Sequence, residues 1–163
     1  MSDLPEVLQE PVLFEVGAIA LSHSSAPMND TALEYVRQAV HGDLDAVVPY
    51  AAVYGAHHIL CNVYNFAVDE ATHVLTNFLD AQEIQWYGGP NAPETRTGLK
   101  IADEHNIDGW DGYYATVARE TDVKTVLTVD TDFARIDGLD TVIPLSEEER
   151  DQFSTFFQST EDP

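Results

Sequence analysis

The sequence predicts an α/β fold, a three-layer α/β/α sandwich around a small and mostly parallel sheet. Short runs of β-branched and other apolar residues recur along the chain, and stretches with helical spacing separate most of them. These runs are apolar throughout rather than alternating with polar residues, which is typical of parallel strands that helices cover on both faces. The order of elements read from the chain is β-α-α-β-α-α-α-α-β-β-α.

The first third of the chain contains two predicted strands. An apolar run at 12–14 predicts the first strand, and the small and apolar residues from Gly17 onward predict a helix directly after it. Asn29 supplies an N-cap for a second helix. The apolar run 46–48 predicts the second strand, which we expect to stop at Pro49.

The middle of the chain is predicted to be helical. The uncharged stretch 50–66 predicts a buried helix, too short for a membrane span. A second helix is expected over 69–78. The Gly- and Pro-rich stretch 88–93 is the clearest loop. Two further helices are expected over 94–105 and 108–121.

The last third contains two predicted strands and a helix. The strands are expected over 125–129 and 141–145, and turn residues lie between them. A helix is expected over 147–157. Ser146 and Glu149 have the spacing of a capping box, which predicts where this helix begins.

The charge balance is strongly acidic. Asp and Glu number 29 against 7 Lys and Arg, which gives a net charge of −22. An apolar content of 44% argues for a globular domain rather than a disordered acidic tail. Repulsion this large is tolerated where salt screens it, because the Debye length falls to ~3 Å at 1 M salt. The composition therefore favours adaptation to a cytoplasm with molar salt, as in an extreme halophile, over an acidic recognition surface.

Length and composition predict a single domain over 11–158, with a polar leader at 1–10 and a tail at 159–163. The single Cys61 excludes an internal disulfide and fits a reducing cytosol. The start of the chain lacks the basic and apolar regions of a signal peptide. We therefore expect a cytoplasmic protein without a membrane partner. The G-x-G-x-x-G and P-loop patterns are absent, so nucleotide binding of those types has no support.

Several acidic residues fall where one edge of the predicted sheet would gather them. Glu15 follows the first strand, Asp130 and Asp132 follow the strand at 125–129, and Asp111 lies in the first turn of the helix before that strand. Ligands bind outside the carboxyl ends of parallel strands. Oxygen-only ligands suit Mg²⁺ or Mn²⁺, which also accept phosphate oxygens from a substrate. The alternative is that these acids only solvate a loop or cap a helix.

At these residues the chain resembles the PIN-domain family, the ribonuclease fold used by VapC-like toxins. The stretch 107–133 follows the family arrangement of an Asp that opens a helix, then an apolar strand that ends in Thr-x-Asp-x-x-Phe. The stretch 12–21 matches the family's opening strand in hydrophobicity. The resemblance implies a PIN-like α/β sandwich and a divalent-metal-dependent endoribonuclease that hydrolyses RNA, with toxin-like activity as one form. It also implies RNA and an antitoxin protein as partners, and a homodimer.

The resemblance assigns roles to four acidic residues. Asp111 corresponds to the third acid of the family and Asp130 to the fourth, while Glu15 stands at the place of the first Asp. These three residues would be the Mg²⁺ or Mn²⁺ ligands. Asp132 occupies a neighbouring position that would assist catalysis.

Three positions depart from the family pattern. Glu15 is one methylene longer than the usual Asp, and Gly17 replaces the hydroxyl or amide that accompanies it. The second family acid should fall near Gly55, where the chain has no acid. These departures motivate an alternative function, a catalytically degenerate PIN fold kept as a binding or assembly module.

Two other groups of residues permit binding chemistry. His57 and Cys61 lie one helical turn apart beside His58, which would allow zinc ligation, although core residues of this kind are more common. Several aromatic residues could stack on unpaired bases or simply belong to the core: Trp86, Tyr87, Trp110, Tyr113 and Tyr114. Two basic residues one helical turn apart, Arg96 and Lys100, could contact phosphates.

Overall fold

The computed structural model describes residues 8–130 and 132–161, for residues 132, 134 and 159–161 the backbone only. Within these residues the chain forms an α/β fold with a five-stranded, wholly parallel sheet in the order β3-β2-β1-β4-β5. This confirms the predicted fold class. The strands are β1 (Val12–Phe14), β2 (Ala46–Pro49), β3 (Gln85–Tyr87), β4 (Thr125–Leu127) and β5 (Asp140–Val142).

Helices connect the strands, as parallel pairing requires. Their bounds agree with the predicted helices to within a few residues at most ends. A short 3₁₀ helix (Asp132–Arg135) precedes β5. The α-helices are α1 (Val16–His23), α2 (Asp30–His41), α3 (Tyr50–Asn62), α4 (Val68–Leu79), α5 (Ala92–His105), α6 (Gly109–Glu120) and α7 (Glu147–Glu161).

The centre of the sheet is fully buried. Leu13 of β1 pairs with Val47 of β2 on one side and Val126 of β4 on the other, and all three side chains are inaccessible to solvent. Strands without an exposed face have no reason to alternate polar and apolar residues. This is why the continuous apolar runs in the sequence identified these strands.

The sequence-based order of elements is wrong at β3. This strand has three residues, pairs only with β2 among the described residues, and lies at the edge of the sheet. Gln85 is exposed, while Trp86 and Tyr87 are half-buried, so the run lacks the apolar signal of the central strands. Trp86 stacks on Tyr50 with ring centroids 5.3 Å apart, which anchors the strand to the start of α3.

The prediction of a buried helix over 50–66 is also wrong in part. Helix α3 ends at Asn62, and only one of its faces is buried, through Ala52, Ala56 and Leu60. Tyr54 on the opposite face is 85% exposed. The absence of charge suggested burial, but the three buried residues recur at the helical spacing of one face.

The capping box predicted for the last helix is confirmed. The Ser146 hydroxyl accepts from the Glu149 amide, and the Glu149 carboxylate accepts from the Ser146 amide. Burial alone would raise the pKa of Glu149, but hydrogen bonds from Thr31 and Ser146 outweigh it and hold that pKa below its usual value. Glu149 thereby joins the start of α7 to the start of α2. Helix α7 runs to Glu161, beyond the predicted end of the helix at 157.

Among the helices of the described residues, none has the length and hydrophobicity needed to cross a membrane.

Candidate active site

The sheet brings the ends of β1 and β4 together. Phe14 pairs with Leu127 at the carboxyl ends of these adjacent strands. The Glu15 amide donates to the Leu127 carbonyl at 3.0 Å, which continues the pairing one residue further. Glu15 and Thr128 therefore leave the sheet side by side.

Glu15 and Asp130 are linked through the hydroxyl of Thr128. The Thr128 Oγ1 donates to Glu15 Oε2 at 3.1 Å and accepts from the Asp130 amide at 2.9 Å. Thr128 is inaccessible to solvent and Glu15 is only 8% exposed. A buried hydroxyl that both donates and accepts fixes the relative position of the two groups it joins.

Glu15 is a strongly perturbed acid. Burial raises its pKa from 4.5 to about 7, and the negative charge of Asp130 adds to this rise. The Gly17 amide and the Thr128 hydroxyl act in the opposite direction by favouring the ionised form. A carboxyl group whose pKa lies near neutral pH, beside a second acid, is typical of functional sites, although structural networks also produce such shifts.

Asp111 approaches the same edge from α6. Asp108 caps this helix by accepting from the Asp111 amide at 2.9 Å, which places Asp111 in the first turn, as predicted. Asp111 is 4% exposed. A helix N-terminus favours a carboxylate because its amide groups carry partial positive charge.

Tyr114 lies between Asp111 and Glu15. Its hydroxyl accepts from the Val16 amide at 3.0 Å, next to Glu15 in the chain. Burial raises the pKa of Tyr114 well above its usual value, and the charges of Glu15 and Asp111 raise it further. Asp111 and Tyr114 are three residues apart on α6, and the Tyr114 hydroxyl binds the residue after Glu15, so Asp111 and Glu15 lie on the same side of the sheet.

The structure thus brings Glu15, Asp111 and Asp130 to one edge of the sheet. Asp132 begins the 3₁₀ helix after this edge, but its side chain lies outside the described part of the chain. The Phe of the Thr-x-Asp-x-x-Phe motif, Phe133, is buried and contacts the Tyr114 ring edge to face. The motif therefore contains both a core residue, Phe133, and an acid at the edge, Asp130.

The two glycines that depart from the family pattern are tightly packed. A Cβ atom added to Gly55 would lie 2.6 Å from Val16 Cγ2. A Cβ added to Gly17 would lie 2.8 Å from Val129 Cγ2 and 3.0 Å from Glu15 Oε2. The longer Glu15 side chain thus lies where a side chain at position 17 would extend, and Val16 lies where a side chain at position 55 would begin.

The donor set fits a hard cation in its chemistry, because every candidate ligand is a carboxylate oxygen. No group of three or more His, Cys, Asp or Glu side chains within the described residues is close enough to hold a metal ion. Mg²⁺ commonly uses one or two carboxylates and completes its shell with water and substrate phosphate. The chemistry of Glu15, Asp111 and Asp130 therefore fits Mg²⁺ or Mn²⁺, whereas the positions of the described side chains do not form a three-ligand cluster.

The structure does not support the zinc alternative. Cys61 Sγ lies 3.9 Å from His57 Nδ1, but the other nitrogen of His57 pairs with the Thr72 hydroxyl at 3.0 Å. His58 lies on the exposed side of α3 and contacts Asn62. In the part of the chain that the structure describes, these residues do not form a metal-binding cluster.

Sequence reasoning missed the residues that hold the acids in place. Thr128 had a visible signal, since it is the Thr of the Thr-x-Asp-x-x-Phe motif. The sequence indicated Tyr114 only as a core or base-stacking residue, and nothing in it predicted the hydrogen bond to Val16, because that bond joins residues 98 positions apart. A contact at that separation depends on the packing of α6 against the end of β1.

No protein-family model matches the sequence, and no curated protein matches it. Solved structures do resemble it. VapC20 of Mycobacterium tuberculosis, a sarcin-ricin loop cleaving toxin, superposes with a TM-score of 0.62 at 11% identity, over 76% of this chain and 93% of that one.

Two other structures give similar results. PAE2754 of Pyrobaculum aerophilum superposes with a TM-score of 0.55 at 16% identity, over 91% of this chain and 94% of that one. FitAcB of Neisseria gonorrhoeae gives 0.56 at 18% identity, over 82% of this chain and 98% of that one. Identities this low carry the fold alone. With its parallel sheet and the acids at the carboxyl edge of that sheet, the chain has the VapC-like PIN-domain fold.

Proposed function

We propose that the protein is a divalent-metal-dependent endoribonuclease of the PIN type that hydrolyses RNA phosphodiester bonds. Glu15, Asp111 and Asp130 would hold Mg²⁺ or Mn²⁺, and Asp132 would assist. The observation that supports this proposal is the position of three acids at one sheet edge. Thr128 joins Glu15 to Asp130, and Tyr114 links the helix of Asp111 to the residue after Glu15.

Each group of the site has a chemical task in this proposal. A bound divalent ion supplies activation of water and neutralisation of charge on the phosphodiester. Thr128 orients Glu15 and the start of the loop that carries Asp130. Glu15 would be a third ligand of the ion or would orient the attacking water. The cap at Asp108 fixes Asp111 in the first turn of α6.

The biological setting is part of the same proposal. VapC20, which shares the fold, is a toxin that cleaves the sarcin-ricin loop, and this supports RNA as the substrate class and a toxin-like role with an antitoxin partner. A cytoplasmic homodimer is what we expect by resemblance to PIN domains. The net charge of −22 supports a working environment of molar salt.

Cleavage of RNA tests the proposed activity. The protein is incubated with labelled RNA in high KCl with Mn²⁺, beside the Asp130→Asn variant. We expect cleavage by the wild type only, because the variant keeps the size of the side chain and loses its charge. Equal cleavage by both proteins, or cleavage by neither, contradicts the proposal.

A second function, a non-catalytic binding or assembly module, is favoured by the packing of Gly55 against Val16. That contact leaves no room for the second acid of the family without movement of Val16. A module that has lost metal binding should show no change in melting temperature with millimolar Mn²⁺ at fixed ionic strength, since only a ligand that binds the native state stabilises it. A rise of several degrees excludes this alternative.

A further inference from the structure

A groove opens beside the candidate active site, at the start of α6. Its volume is about 550 Å³ and its lining is mostly carbon. We call it the Trp110 groove; it is lined by Ala51, Pro90, Leu99, Asp108, Trp110 and Tyr113. Trp110 is the residue before Asp111, so the groove and the acidic edge share the first turn of α6.

Two large apolar side chains are exposed in this groove. Leu99 is 59% exposed and Trp110 is 49% exposed. The Trp110 ring contacts the Tyr113 ring edge to face at 5.6 Å and lies nearly parallel to the Tyr114 ring at 6.1 Å. Tyr113 and Tyr114 therefore hold the indole on one side, and about half of the Trp110 surface is exposed to solvent. A supported and half-exposed indole is suited to stacking against a flat ring.

The groove is formed by two helices in close contact. Helices α5 and α6 pack so tightly that a Cβ added to Gly112 would lie 2.0 Å from the Gly98 carbonyl oxygen. Gly98 precedes Leu99, and Gly112 follows Asp111. The same contact therefore fixes the groove and Asp111 relative to each other, so a ligand in the groove would lie at a defined position beside the acids.

The charge of the protein disfavours attachment through phosphates. A net charge of −22 repels a polyanion, and Lys and Arg together number seven. Arg96 and Lys100 are exposed on α5 near Leu99, but Lys100 forms a salt bridge with Glu104, with Nζ and Oε1 3.8 Å apart. An RNA strand that binds this chain needs contacts that do not depend on positive charge. Stacking of bases on aromatic rings provides such contacts and persists in salt that screens phosphates.

We propose that the Trp110 groove binds an unpaired nucleobase of single-stranded RNA, stacked on Trp110, next to the nucleotide whose phosphate lies at the acidic edge. This inference rests on the proposed function in its choice of RNA as the ligand. It adds a subsite that would select single-stranded over duplex substrate, because both faces of a base inside a duplex are covered by its stacked neighbours.

Binding in EDTA tests the subsite without any cleavage. Trp86→Phe leaves Trp110 as the single tryptophan and keeps an aromatic ring beside Tyr50. In this background and in high KCl, a short single-stranded RNA of mixed sequence should quench the Trp110 emission, and an abasic strand of equal length should not. Labelled RNA measured by anisotropy should bind Trp110→Ala about 5- to 100-fold more weakly and Trp110→Phe nearly as well as the wild type.

Two further variants complete the experiment. Leu99→Ala removes the other exposed wall and should also weaken binding, whereas Tyr54→Ala removes an exposed aromatic residue on α3, outside the groove, and should not. Equal affinity for abasic and base-containing strands overturns the proposal, as does unchanged affinity in Trp110→Ala. It is likewise overturned if Trp110→Ala changes the protein's self-association instead of its RNA affinity, since the groove would then be a protein interface.

The outcome is separable from that of the proposed function. Cleavage by the wild type with unchanged RNA affinity in Trp110→Ala leaves the nuclease and removes the subsite. Trp110-dependent binding of base-containing RNA without cleavage removes the nuclease and leaves the subsite.

Discussion

The two halves of the acidic edge are built differently. On the side of β4 and α6, Asp111 and Asp130 are the acids that the sequence resemblance aligns with the PIN pattern, and the Thr128 hydroxyl binds both Glu15 and the Asp130 amide. On the side of β1 and α3, the first acid is Glu15 and the second acid is missing at Gly55. The first half has acids where the resemblance predicts them, whereas in the second half the predicted place of the second acid is packed against Val16.

At both glycines that depart from the family pattern, a neighbouring side chain fills the space of the missing side chain. The space beside Gly17 is occupied by the Glu15 carboxylate, and the space beside Gly55 by Val16. Close-packed interiors leave few voids, so a lost side chain is replaced by its neighbours. The altered half is therefore a packed surface, and a single substitution would not restore the family arrangement there.

The largest contrast between the halves should appear in metal affinity. Asp111→Asn and Asp130→Asn each remove a proposed ligand from this half, and we expect each to weaken Mn²⁺ binding by ~100-fold or more, since the site has few protein oxygens to offer the ion. Glu15→Gln should weaken it by only ~10-fold, because that carboxylate is already displaced towards Gly17. Calorimetric titration with Mn²⁺ measures all three. A loss in Glu15→Gln as large as that in Asp130→Asn shows that the metal lies elsewhere than we infer.

The altered half should also give the protein a pH-dependent stability. The pKa of Glu15 is raised from 4.5 to about 7, so between these values the folded protein keeps a proton that the unfolded chain has released. The stabilisation is complete below pH 4.5 and is lost as the pH rises through 7. The wild type should lose about 3 kcal/mol of unfolding free energy across this range relative to Glu15→Gln.

Denaturant unfolding in EDTA at a series of pH values measures this difference. The charge of Asp130 contributes to the raised pKa of Glu15, so the Asp130→Asn variant should show a smaller loss over a narrower range. Parallel pH profiles for wild type and Glu15→Gln contradict the prediction.

Thr128 connects the two halves, and its removal should affect both. Thr128→Val keeps the shape of the side chain but removes the hydroxyl that donates to Glu15 and accepts from the Asp130 amide. We expect a loss of about 1–3 kcal/mol in unfolding free energy, from buried polar groups left without a partner, and ~10-fold weaker Mn²⁺ binding. Thr128→Ser keeps the hydroxyl and is the matched control. Equal losses in both variants would mean that the methyl group, not the hydrogen bonds, matters.

The sequence was informative about the fold where burial is uniform. The central strands are buried throughout, so their apolar runs located β1, β2 and β4 to within two residues at each end. The edge strand β3 is not predicted from the sequence, because Trp86 and Tyr87 are only half-buried and do not form an apolar run. The absence of charge in α3 suggests a helix buried on all sides, but the spacing of its buried residues corresponds to one buried face.

The sequence also predicted that acids gather at one edge, since the carboxyl ends of parallel strands share that edge. Glu15 and Asp130 do follow two adjacent strands there. The sequence did not reveal what holds them or what replaces the missing acid. The bond from Val16 to Tyr114 and the contact of Val16 with Gly55 join segments that are distant in the chain. Only the packing of α1 against α3 and α6 brings them together, and no local pattern encodes that packing.

The smallest expected effect concerns the contact between Val16 and Gly55. Gly to Ala inside a helix normally stabilises by ~1 kcal/mol. At Gly55 the added Cβ would lie 2.6 Å from Val16 Cγ2, and overpacking of this kind costs about 1–3 kcal/mol. Gly55→Ala should therefore lower the unfolding free energy by ~1 kcal/mol in denaturant titrations. Gly109→Ala is a control, since a Cβ there meets Leu99 Cδ2 at an ordinary 3.7 Å.

A double-mutant cycle shows whether Val16 is the cause. Val16→Ala removes the clashing methyl groups, so adding Gly55→Ala to it should cost nothing or stabilise the protein. The Val16→Ala background also tests whether the four acids of the family pattern can be restored. Glu15→Asp with Gly55→Glu should strengthen Mn²⁺ binding more in this background than with Val16 present. If Gly55→Ala costs the same with and without Val16→Ala, then Val16 does not block position 55. If the triple variant binds Mn²⁺ no better than the wild type, then position 55 is not the place of the second acid.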